Sequence, residues 1–71
     1  MSYQFEVHFK VLWGLGPRTV TRTITIFYDD VDPDTPEEIV KSQAISDAKT
    51  IMFNRTEAGY PMPEFEGIYA S

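Results

Sequence analysis

Residues 3–13 alternate so regularly between apolar and polar that they constrain the fold more than any other stretch. Tyr3, Phe5, Val7, Phe9, Val11 and Trp13 fall on one side, and Gln4, Glu6, His8 and Lys10 on the other. Period two is the signature of a strand with one buried face, since successive side chains of a strand point to opposite sides. The pattern resumes over residues 18–28. Val20, Ile24, Ile26 and Tyr28 share one side; Thr19, Thr21, Thr23, Thr25 and Phe27 share the other. These β-branched and aromatic residues suit a pleated surface. Between the two runs lies Trp13-Gly14-Leu15-Gly16-Pro17, where the glycines permit unusual dihedrals and the proline interrupts pairing. Two strands joined by a short glycine-rich loop predict a hairpin.

The hairpin is followed by Asp29-Asp30-Val31-Asp32-Pro33-Asp34-Thr35-Pro36-Glu37-Glu38, six acids in ten positions. Thr35 has the chemistry of an N-cap, with Pro36 at the first helical position and Glu38 three residues beyond it, which predicts a capping box. The helix is expected over residues 36–54. Val40, Ala44, Ile45, Ala48, Ile51 and Met52 share its apolar face, and Gln43, Ser46 and Thr50 lie opposite. Residues 56–63, with Gly59, Pro61 and Pro63, form a loop. Residues 64–70 are a short third strand, in which Gly67 marks a bulge or a close approach.

The order β-β-α-β predicts a single small α+β domain over residues 1–71, a three-stranded, mostly antiparallel sheet with one helix on one face. Strand order 2-1-3 lets the crossover skip one strand with the usual hand. The alternative pairs the third strand with the second, in parallel. The chain has 71 residues, and one this short buries only about 60% of the surface its unfolded form exposes. Small domains often add disulfides, a metal or a second subunit. There is no cysteine, so disulfides, thiolate metal sites and thiol nucleophiles are excluded. A second subunit or a partner is the remaining route.

The acidic stretch does not have the spacing of a calcium loop. Counting from Asp30, Thr35 stands where glycine is needed and Lys41 where the bidentate glutamate is needed. Helix-start and turn chemistry account for the acids, because Asp bonds its own backbone in turns and acids favour a helix N-terminus. Asp29, Asp30 and Asp32 nevertheless form a negative corner able to steer a basic partner. His8 is the sole histidine and falls in a polar row between Glu6 and Lys10. No nucleophile–base pair, phosphate loop or metal-ligand spacing accompanies it, so no catalytic residue, metal or cofactor is expected. The net charge of −5 opposes direct nucleic-acid binding. Neither a signal peptide nor an apolar run of membrane-spanning length is read, and a cytoplasmic location is expected.

A single helix covers one sheet face, so the other is the expected contact surface. The candidate partner-binding residues are Leu12 and Phe27 on that face, Trp13 and Leu15 at the turn, and Arg22, which interrupts the apolar row of strand 2. Asp29, Asp30 and Asp32 at the corner and Tyr60 in the second loop complete the set. The expected partner is another protein, with a homodimer through a strand edge as a further possibility. The order of elements, with Asp34-Thr35-Pro36-Glu37-Glu38 followed by Ala44 and Ala48, resembles small phage-encoded regulators such as the T7-type inhibitor of host RNA polymerase. That resemblance implies a non-enzymatic phage or mobile-element accessory protein that binds and modulates a host protein. The family docks through arginines on its last strand. Glu64-Phe65-Glu66-Gly67-Ile68-Tyr69 has none, so no binding residue carries over. Two other functions fit the same features: a self-assembling, virion-type structural subunit, and an acidic mimic of nucleic acid.

Overall fold

The structure, a computed structural model, describes residues 1–12, 18–56 and 61–71. Its elements are β1 (Tyr3–Leu12), β2 (Thr19–Tyr28), α1 (Glu37–Arg55) and β3 (Glu64–Ala70). The three strands form one sheet in the order β2-β1-β3, and both pairings are antiparallel. This is the predicted ββαβ arrangement, with the third strand beside the first.

β1 is central because its apolar row is unbroken. Phe5, Val7 and Phe9 are buried on the helix side and are the largest fully buried side chains of the core. β2 adds Ile24 and Ile26, and α1 closes the layer with Val40, Ala44, Ala48 and Met52. The helix stripe repeats every four residues. Ala44 and Ala48 have no exposed surface, and their small side chains let the helix axis lie close over the phenylalanines. Ile51 joins the rim of this core, with Tyr3, Val11, Tyr28, Val31 and Ile68. Gln43, Ser46 and Thr50 are exposed, as their helical angle requires.

The start of the helix departs from expectation. Pro36 is the N-cap, in an extended conformation, and no side chain caps the helix. The capping box built on Thr35 does not form. The Pro36 carbonyl accepts from Ile39 and Val40, so the helix begins one residue later than predicted. The preceding turn already holds the segment: Asp32 accepts the Asp34 N–H through Oδ1 at 2.9 Å, and its carbonyl accepts the Thr35 N–H at 2.9 Å. Glu37 and Glu38 lie in the first helical turn, where the helix dipole favours their charge.

β3 pairs with β1 in two registers. His8 faces Gly67, but Phe9 faces Phe65, so Glu66 is an extra, bulged residue. Gly67 also permits a close approach. A Cβ there would lie 3.0 Å from Tyr69 Oη, because the tyrosine ring folds back across it.

Candidate interaction surface

The sheet face away from α1 is assembled row by row from the strand registers. Gln4 lies beside Phe27, and its Nε2 donates to Ser71 Oγ at 3.1 Å. Glu6 sits between Thr25 and Tyr69, His8 between Thr23 and Gly67, and Lys10 between Thr21 and Glu64. Leu12 beside Thr19 ends the face. Thr21 Oγ1 donates to Glu66 Oε1 at 3.5 Å, so the bulged glutamate reaches over the central strand. The face is thus a threonine column on β2, a mixed charged column on β1 and an acidic, aromatic column on β3.

Leu12 and Phe27 are both exposed on this face, at 49% and 59%. They do not form one patch. Phe27 faces Gln4 and Leu12 lies eight residues further along β1, a separation of about 27 Å. Leu12 instead borders a shallow groove lined by Lys10, Thr19, Met62, Pro63 and Glu64. Arg22 is exposed on the opposite, helix-side face of β2, across from Phe9. Trp13, Leu15 and Tyr60 lie outside the described residues.

The acidic corner adjoins Phe27. Asp29 Oδ1 accepts the Ser2 hydroxyl at 2.7 Å and the Asp30 N–H at 3.0 Å. These two donors hold its carboxyl below the usual carboxylate range, the Ser2 hydroxyl having the larger effect. Asp30 takes a left-handed conformation, φ 56°, which aspartate tolerates better than most residues. The turn lets Met1 and Val31 exchange two hydrogen bonds, at 2.8 and 2.9 Å, which ties the chain start to the corner. Asp29 and Asp32 are therefore both committed to local hydrogen bonds, while their charge still faces solvent.

Sequence reading missed Tyr69, exposed at 54%. Its ring lies 4.7 Å from that of His8, centroid to centroid, and leaves the histidine half-buried rather than in a freely solvated row. The available signal was Gly67, whose lack of a side chain opens the space that Tyr69 fills. On the other face, Tyr28 donates its hydroxyl to Asp47 Oδ2, and Gln43 Nε2 donates to Asp47 Oδ1 at 2.8 Å. Burial, the hydrogen bond and the Asp47 charge, in that order, push the Tyr28 hydroxyl well above its ordinary pKa.

Among the described residues no three His, Asp or Glu side chains are grouped to hold a metal ion, and no helix is long and apolar enough to cross a membrane. No family model matches the chain, and no curated protein or solved structure matches it.

Proposed function

We propose that this chain is a non-enzymatic protein-binding module that occupies a protein partner through the sheet face opposite α1, as a phage or mobile-element accessory factor would to modulate a host protein. The observation that carries this reading is the one-sided layering. One helix shields one face of the sheet, and the other leaves Phe27, Tyr69 and Leu12 about half exposed among polar rows. Aromatic anchors within a polar surround are the usual composition of a protein contact. Asp29 and Asp30 beside Phe27 supply a negative field that favours a basic partner surface.

The test is capture of a partner by the tagged full chain, compared with three variants. Phe27→Asp and Tyr69→Ala should each release the captured protein, whereas Ser46→Lys on the exposed side of α1 should retain it. Equal capture by all three would remove the open face from consideration. A second reading, a structural subunit that self-assembles through strand edges, draws on the two outer edges of a three-stranded sheet. Sedimentation separates the two, since only the second yields large closed assemblies.

A further inference from the structure

We infer that the outer edge of β2 pairs antiparallel with β2 of a second copy of this chain, about a two-fold axis at Ile24, to form a closed dimer with a six-stranded sheet. The inference uses the edge, not the open face, and is independent of any contact the face makes.

The backbone geometry identifies what this edge offers. Ser71 donates its N–H to the Gln4 carbonyl at 2.9 Å, so Gln4 turns its backbone polar groups toward β3. By alternation Glu6 and His8 do the same, and Tyr3, Phe5, Val7, Phe9 and Val11 turn theirs toward β2. Their partners there are Tyr28, Ile26, Ile24, Arg22 and Val20. The N–H and C=O groups of Thr19, Thr21, Thr23, Thr25 and Phe27 therefore point away from the sheet. No described residue pairs with them.

The two edges of the sheet are protected to different degrees. β3 is 7 residues long, is bulged, and carries Glu64, Glu66 and Gly67, features that discourage pairing. β2 is 10 residues long, has no proline, and pairs with β1 in one unbroken register. One sound edge and one guarded edge close an assembly at two copies, where two sound edges would polymerise.

Charge selects a second copy over another strand. Basic Arg18 stands just before β2, and acidic Asp29 and Asp30 stand just after it. An antiparallel copy reverses that order and brings unlike charges together at both ends. With the axis at Ile24, Arg18 comes to the Asp29–Asp30 corner of the second copy, just beyond the end of its strand. Thr23 lies opposite Thr25, and Thr21 opposite the exposed Phe27. Each outward N–H then meets an outward C=O, because every hydrogen-bonded pair joins odd-numbered residues. Arg22 lies opposite Ile26 instead of its own symmetry mate, which avoids like-charge contact across the axis.

Sedimentation velocity of the full chain, from micromolar to submillimolar concentration, should show a dimer. In hydrogen exchange the amides of Thr21, Thr23 and Thr25 should be protected in the dimer and exchange rapidly on dilution. Thr23→Pro removes an outward N–H without removing a β1–β2 hydrogen bond, so it should yield a monomer with unchanged circular dichroism. Should that variant fail to fold, Arg18→Glu, outside the strand, still tests the pairing. It should raise the dimer dissociation constant about tenfold, through two symmetry-related surface ion pairs. A wild-type monomer at every concentration, assemblies larger than a dimer, or a dimer indifferent to Arg18→Glu would each overturn the inference.

Discussion

At the scale of single residues, the Tyr28–Asp47 hydrogen bond is the most informative polar contact, because it joins the sheet to the helix at the core margin. A half-buried hydroxyl donated to a carboxylate is worth about 1–2 kcal/mol, so Tyr28→Phe should destabilise the protein by that amount at neutral pH. The pH dependence has a defined sign. The folded-state pKa of Tyr28 is raised, so the contribution is fully present below the unfolded value near 10 and declines as pH rises through the folded one. Urea melts at pH 7 and in strong alkali should show the gap between wild type and variant narrowing at the higher pH. Asp29 behaves in the opposite sense. Its lowered pKa stabilises the fold above the ordinary carboxylate range, and the contribution is lost as acid protonates it. Ser2 is close to Asp29 in space but 27 residues away in sequence, which is why the acidic run alone did not reveal that contact.

At the scale of elements, the helix is held by its stripe and not by a side-chain cap. Thr35→Ala should therefore change stability by less than about 0.5 kcal/mol, against the ~1 kcal/mol usual for a lost cap. Ala48→Leu should cost about 1–3 kcal/mol, because added methylenes at a fully buried site force the helix off Phe5 and Phe9. Chemical denaturation of both variants checks the contrast; a larger loss for Thr35→Ala would contradict the uncapped geometry. The same stripe shows where sequence periodicity was sufficient. Val40, Ala44, Ala48 and Met52 follow from helical spacing alone, whereas the loss of the capping box depended on how Asp32 organises the turn ahead of it.

At the scale of the molecule, the chain is thin and long. Its radius of gyration is 13.8 Å, against the roughly 11 Å of a compact chain of this length. The helix of 19 residues spans about 28 Å, while the paired strands of β1 and β2 run about 34 Å. Burial falls off toward the hairpin end accordingly: Phe9 is buried, Val11 and Val20 only half so, and Arg22 is exposed. A domain that leaves this much sheet uncovered gains more than most from a second protein surface. If the acidic corner steers that encounter, the association rate with a basic partner should fall severalfold between low and physiological salt, while dissociation changes little. Stopped-flow association at two ionic strengths measures it, and a salt-independent rate would assign the corner a local structural role only.

The strands, the helix, their order and the faces they bury were determined by the sequence itself, since period-two and four-residue stripes encode burial through local geometry. Placement of β3 beside β1 was the expected arrangement, but a parallel pairing with β2 fitted the sequence as well, and the tertiary structure decided it. Tertiary structure alone decided the register, and with it which residues share the exposed sheet face. It separated Leu12 from Phe27, brought Ser2 to Asp29 and folded Tyr69 over Gly67 onto His8. Each of these is set by which residue lies across a strand, a relation between distant positions that no local periodicity carries.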